Sequence, residues 1–240
     1  MEKSRSLSAY DILKRGIDII GAIIALILSA PILAVSTLLI RLDGGKAFFV
    51  QPRVGLDGET FGMFKLRTMI PDAFKLESII AREQHTNGGY GVAGEYNDPR
   101  ITKVGAILRK FNLDELPQFI NVLKGDMSFV GPRPLPLPEK PLYGGKLHKA
   151  FSSKPGITGY WQVNRRLSTM YDERVEMDCH YAKKRSLLLD VLIFLQTPIS
   201  MLTSDYNSVS KPIPLTEGML VREPVLAGSR TGQDESLAEH

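Results

Sequence analysis

Apolar residues are concentrated near the start of the chain. From Ile19 to Ile40 there is no charged residue, a run of about 22 positions that as a helix would measure roughly 33 Å, close to the thickness of a bilayer's hydrocarbon core. Pro31 lies near the middle of this run, where it removes a backbone donor and predicts a bend or break, with the Ser29 hydroxyl able to bond back to a carbonyl. Both flanks are basic, with Lys14 and Arg15 before and Arg41, Lys46 and Arg53 after, so the positive-inside bias assigns both ends to the cytoplasm. The pattern predicts a re-entrant helix-hairpin rather than a straight span. Lys3 and Arg5 resemble the basic start of a signal peptide and Ser29-Ala30 a cleavage pair, but the apolar run continues past Ala30, and Pro31 is a poor context for a peptidase.

Beyond the run, Phe48-Phe49-Val50 and Thr60 to Thr68 flank Asp57-Gly58, the signal of a two-residue hairpin turn. Residues 72 to 84 have helical spacing, and a glycine-rich mobile loop is expected from Thr86 to Pro99. Residues 102 to 112 predict a helix with Val104, Ile107, Leu108 and Phe111 on one face. Pro117 is placed to open a further helix ending at Gly125. Prolines 132, 134, 136, 138 and 141 predict an extended, rigid loop. Residues 172 to 202 read as one long helical region whose apolar part, Leu187 to Leu195, suits either the core or a membrane surface. The predicted fold is α+β and mostly helical: a membrane segment over residues 1–41, a small cytosolic domain with a short β-hairpin over 42–203, and a polar, mobile tail over 204–240.

Composition sharpens this. With 43% hydrophobic and 23% charged residues the chain is neither a polytopic membrane protein nor a disordered one, because a single segment carries much of the hydrophobicity. The lone Cys179 excludes an internal disulfide and a multi-cysteine zinc site. A net charge of +4 and an isoelectric point near 9.1 suit an anionic membrane surface, phosphorylated substrates or nucleic acid.

Two motifs compete for the chemistry. Gly89-Tyr90-Gly91-Val92-Ala93-Gly94 matches the dinucleotide fingerprint but lacks the strand and helix on either side that would present a pyrophosphate to a helix N-terminus. Asp114-Glu115, between two helical segments, is more informative. Asn112 with Glu115 fits a capping box, yet the surrounding Lys65, Arg67, Arg100, Lys103, Arg109 and Arg133 suit a phosphoryl-transfer site, since guanidinium forks match phosphate oxygens. His85, His148, His180 and His240 have no metal-ligand spacing.

Five blocks occur in order: Lys65-Leu66-Arg67-Thr68-Met69, Asp98 to Gly105, Leu113-Asp114-Glu115-Leu116-Pro117-Gln118, Val130-Gly131-Pro132-Arg133-Pro134 and Lys154-Pro155-Gly156-Ile157-Thr158-Gly159. From about Lys14 to Thr203 the chain thereby resembles the bacterial sugar transferases, the monotopic polyprenyl-phosphate hexose-1-phosphate transferases. The resemblance implies transfer of a sugar 1-phosphate from a UDP-sugar to undecaprenyl phosphate at the cytoplasmic face of the bacterial inner membrane, with UMP released and Mg²⁺ as cofactor. It implies Asp114 as the nucleophile of a covalent intermediate, Glu115 as base or metal partner, and Lys65, Arg67, Arg100, Arg109, Arg133 and Arg166 as substrate-binding residues. Asp114 and Glu115 would carry the metal, and Ser29 and Pro31 would shape the membrane hairpin. A hexose such as glucose or galactose is the expected donor sugar, exopolysaccharide or a related glycan the product, and nucleic acid is not an expected partner; a homo-oligomer is compatible with all of this. Two departures stand out: Ser29-Ala30-Pro31 where many members have Ser-Pro, and Arg165 where a glycine often precedes the arginine. No multi-span region precedes the apolar run, so a minimal catalytic form is expected. A catalytically inactive membrane-surface scaffold of the same fold, or a polybasic surface-binding protein, are the other readings.

Overall fold

The computed structural model describes residues 8–71, 73, 100–164 and 171–202. The apolar run forms a single helix, α1 (Ala9–Leu42). It opens with a capping box: the Ser8 hydroxyl accepts from the Asp11 N–H, and the Asp11 carboxylate accepts from the Ser8 N–H at 3.2 Å. It ends before Gly44 and Gly45, both at positive φ. The expected break at Pro31 does not divide the element, because helical geometry continues on both sides of the proline. Ser29 does bond back, its hydroxyl donating to the Leu26 carbonyl at 3.3 Å, which supports the backbone next to the missing donor.

Both ends of α1 are fastened to the same body. Near its start, Lys14 and Tyr10 bond Asp190 at 2.6 and 2.9 Å, and Arg15 donates to the carbonyls of Val122 and Leu123. One turn further, Asp18 is buried and accepts from the Ser128 hydroxyl and the Phe129 N–H. At the far end the Ile40 carbonyl accepts from Arg67 at 3.0 Å, and the Ile40 side chain packs with Ala47, Leu66 and Leu108. Between these anchors Ile20, Ile24, Ile27, Leu28 and Val35 stand exposed.

The hairpin pairs β1 (Phe48–Val54) with β2 (Thr60–Leu66), antiparallel, from Phe48↔Leu66 to Val54↔Thr60. Its loop is longer than the expected two-residue turn. Residues 55–59 turn through a 3-10 segment, Leu56–Gly58, with Asp57 at φ 55° and Gly58 at φ 83°. Aspartate and glycine tolerate that left-handed conformation, so the dipeptide marks the turn although not its type.

After α2 (Lys103–Lys110), capped by the Thr102 hydroxyl, and α3 (Gln118–Lys124), β3 (Ser128–Val130) leads to β4 (Leu135–Pro136), which pairs with the Arg53-Val54 end of β1. Pro117 sits at the N-cap of α3, and Gly125 ends it at φ 94°. The proline-rich segment is less extended than expected, since Leu137–Lys146 coils into 3-10 turns. Short helix α4 (Leu147–Ala150) leads to β5 (Gly156–Thr158), parallel to β3, and to α5 (Tyr160–Asn164). The helical region expected over 172–202 is two helices, α6 (Tyr171–Lys184) and α7 (Leu187–Leu202), because the Ser186 hydroxyl caps a new start, accepting from the Leu189 N–H.

Two apolar faces divide differently from their periodicity. On α2, Leu108 is buried, while Ile107 and Phe111 are 59% and 62% exposed, so half of the expected core face points outward. On α7, Leu189 and Ile193 are buried and Leu188, Phe194 and Leu195 are exposed, so this helix serves the core and leaves an apolar surface as well. The main core gathers Val54, Leu135, Tyr143, Leu147, Phe151 and Val175. Apart from Ala73, the helix expected over 72–84 lies outside the described residues, as do the glycine-rich loop, Arg165, Arg166 and the tail over 204–240.

Candidate active site

The Asp114-Glu115 pair sits on a 3-10 turn, Leu113–Glu115, between α2 and α3. Asn112 precedes it at φ 53° and makes no side-chain cap bond, so the capping box that its spacing allows does not form. Glu115 turns instead to Lys65 on β2, 2.8 Å from its Nζ, with the Asp114 carboxylate 4.0 Å from the same nitrogen. Leu66 is buried beside Ile40, so its neighbour Lys65 points to the other face of the strand, toward the turn.

The two carboxyls are driven apart electrostatically. Asp114 is buried, and desolvation raises its pKa, helped by the adjacent Glu115 charge and opposed by Lys65 and Arg109. Desolvation pushes Glu115 the same way, but the Lys65 ammonium, through its charge and hydrogen bond and with help from Arg133 and Arg53, holds Glu115 below its ordinary value. Glu115 is thus the settled anion of an ion pair, and Asp114 a carboxylate of raised basicity.

A cleft opens beside this turn, lined by Arg53, Lys65, Glu115, Gln118, Arg133 and Gln162 among others. Two sequence-predicted cations, Lys65 and Arg133, come together here. The Arg133 guanidinium lies 5.9 Å from the Trp161 ring centroid, and Arg174 lies 4.9 Å from the same ring. Behind them Asp178 on α6 is fully buried, accepts from the Tyr143 hydroxyl at 2.7 Å, and has its pKa pushed up to about 6 by burial.

Other expected cations lie elsewhere around the turn. Arg109 donates from Nε to the Thr68 hydroxyl at 2.9 Å and reaches Asp114 through its charge. Arg67 is bonded to the end of α1, and Arg100 is buried, its carbonyl accepting from the Ile70 N–H. Ser29 and Pro31 stay within α1, and Arg166 is not among the described residues. Arg53 was not anticipated as a site residue. Strand alternation carries the signal: with Gln51 opposite Met63 and Arg53 opposite Phe61, residues 49, 51 and 53 share a face with 61, 63 and 65, and so with Lys65.

Among the described residues no three His, Cys, Asp or Glu side chains cluster; the Asp114 and Glu115 carboxylates of the turn are hard oxygen donors, the ligand type a Mg²⁺ ion takes.

The fold and site define an α+β body joined to a long apolar helix, with an acidic pair set in a basic cleft. The chain belongs to the bacterial sugar transferase family, whose model matches residues 9–204, from α1 through α7. It is 43% identical over 188 residues to the galactosyl transferase CpsE of Streptococcus agalactiae serotype III, covering 78% of this chain and 41% of that one. It is 39% identical over 192 residues to the exopolysaccharide production protein ExoY of Sinorhizobium fredii, covering 77% and 83%. The undecaprenyl-phosphate galactose phosphotransferase of Salmonella typhimurium is 39% identical over 195 residues, covering 80% and 41%. The chain therefore spans about two fifths of the length of the first and third of these relatives.

Proposed function

We propose that the protein transfers a sugar 1-phosphate from a UDP-sugar to undecaprenyl phosphate at the cytoplasmic face of the bacterial inner membrane, the opening step of exopolysaccharide or related glycan assembly. The observation that carries this reading is the buried Asp114 beside the Lys65–Glu115 ion pair, next to a cleft lined by Arg53 and Arg133. Relatives named for galactose, at about 40% identity, support galactose as the hexose.

In the first step the Asp114 carboxylate attacks the phosphorus that bears the sugar. The bond to the bridging oxygen of the diphosphate breaks, and UMP leaves with that oxygen. The aspartyl sugar-phosphate that remains is then attacked at phosphorus by an oxygen of undecaprenyl phosphate, which restores the carboxylate. Burial serves this chemistry, because a desolvated carboxylate is a stronger nucleophile, and the Lys65 ammonium 4.0 Å away favours its ionised form. Asp114 and Glu115 would hold a Mg²⁺ ion, which when bound would neutralise diphosphate charge.

The membrane reading is a re-entrant α1, entering and leaving on one side. Its support is that residues Tyr10 to Asp18 and Ile40 are tied to one body, and a helix fastened at both ends to one cytoplasmic body cannot leave either end across a bilayer. With Cys179 replaced by Ser, single cysteines at Ser8 and Lys46 should both label from the cytoplasmic face of oriented vesicles. Labelling from opposite faces would overturn the re-entrant path.

The activity itself is tested with purified full chain, undecaprenyl phosphate and a panel of UDP-sugars. UMP release that requires the lipid and is fastest with UDP-galactose is expected; no UMP from any donor would leave the inactive scaffold as the reading.

A further inference from the structure

We propose that Arg53 is a substrate-binding residue, which with Arg133 clamps the diphosphate of the nucleotide sugar in the cleft; this rests on the function proposed above. Arg53 is buried at the middle of the sheet, paired across to Phe61 on one side and Pro136 on the other. Its Nε and Nη2 both donate to the Gln51 side-chain oxygen, at 3.2 and 2.7 Å, and its Nη1 donates to the Pro134 carbonyl at 3.2 Å. All these acceptors are neutral. Two of its five N–H groups are left for a ligand, and among the described residues no carboxylate forms an ion pair with it.

A buried cation without a carboxylate partner is costly unless a ligand supplies the anion. Here the cost is increased by a second cation, because Arg133 lines the same cleft, stacks on Trp161 and likewise has no ion pair among the described residues. Burial first, then the Arg133 charge, lowers the pKa of Arg53 to about 10, with the Glu139 and Glu115 charges opposing that shift without cancelling it. Lys65 is ion-paired to Glu115, and the Glu139 and Glu115 charges offset Arg53 only in part, so the cleft presents two guanidinium groups on separate elements with no ion pair among the described residues, the arrangement that matches two linked phosphoryl groups of one charge each.

The cleft wall distinguishes donor from acceptor. The Gln162 side-chain oxygen is buried without a hydrogen-bond partner, and Gly159 makes room for it: a Cβ there would lie 2.6 Å from that oxygen. An orphaned acceptor calls for a hydroxyl or N–H donor, which a nucleotide sugar carries in abundance and a polyprenyl phosphate does not.

The test measures binding by calorimetry on full-length Asp114→Asn protein, which keeps both ligands unreacted. Adding Arg53→Gln should weaken UDP-galactose binding at least tenfold and leave undecaprenyl phosphate binding within twofold. Arg53→Lys should fall between, keeping the charge and losing the fork. Arg133→Gln, at an exposed position that does not endanger folding, should match Arg53→Gln. Unchanged UDP-galactose binding in both glutamine variants, or equal loss of both ligands, would overturn the clamp alone. A parent protein that binds no UDP-sugar would overturn the proposed function and the clamp with it.

Discussion

On the proposed mechanism Asp114→Asn should reduce sugar-phosphate transfer by at least about a thousandfold while leaving the protein folded, since removing a nucleophile costs a rate factor of that order or more. The physical argument separates activity from stability. The folded protein raises the pKa of Asp114, so the ionised carboxylate is less favourable in the folded chain than in the unfolded one at any pH above that value. The neutral amide removes this cost, and the melting temperature of the variant should equal or exceed that of the wild type at pH 7. In the wild type the same group stabilises the fold fully only below its unfolded pKa and loses that contribution as pH rises through the folded value. Intact mass after mixing with UDP-galactose alone is the decisive reading. An added sugar-phosphate is expected on the wild type and none on Asp114→Asn. An adduct on the variant, or turnover near the wild-type rate, would remove Asp114 from the nucleophile's role.

The second large effect is structural and falls on Gly131→Ala. Gly131, Gly156 and Gly159 come from the two glycine-bearing blocks, and the parallel pairing of β3 with β5 stacks their backbones directly on one another. The Gly131 N–H donates to the Thr158 carbonyl at 3.0 Å, and the Gly156 N–H to the Pro132 carbonyl at 2.9 Å. A Cβ on Gly131 would overlap the Lys154 carbonyl oxygen and lie 2.7 Å from the Gly156 nitrogen. Backbone on both sides leaves nothing flexible to give way, so a destabilisation of about 3–5 kcal/mol is expected. For a chain of this size that lowers the melting temperature by roughly 10 °C. Transfer should fall too, because Arg133 and Gln162, within three residues of these glycines, line the cleft. Gly145→Ala serves as the comparison: a Cβ there meets nothing within 4 Å, so its effect should stay within about 0.5 kcal/mol. Equal stability of the two variants would show that the glycine stack is not under the strain argued here.

What was legible in the residues followed local rules. The run from Ile19 to Ile40 specifies an apolar helix because nothing charged interrupts it, and Asp57-Gly58, Thr102 and Gly125 mark a turn, a start and a stop through backbone preferences that hold in any context. Asp114, Glu115, Lys65 and Arg133 were legible as chemistry because their residue types and blocks point to phosphate handling, and the fold brings them to one turn and cleft.

Tertiary structure decided what depends on contacts distant in sequence. Periodicity put Ile107 and Phe111 on a core face, yet they face outward, since hydrophobic spacing gives a helix's stripe and not what covers it. Asn112 and Glu115 have capping spacing, but a lysine from 50 positions earlier takes the carboxylate, an ion pair that no local pattern announces. Arg53, apparently a flank of the membrane segment, becomes a buried cleft residue because strand pairing turns it to the face of Lys65. Local sequence thus determined the elements and the kind of chemistry. Which cations surround the carboxylates, and how strongly burial tunes each of them, came only with the packing of strands and helices, because charge and desolvation act through space and not along the chain.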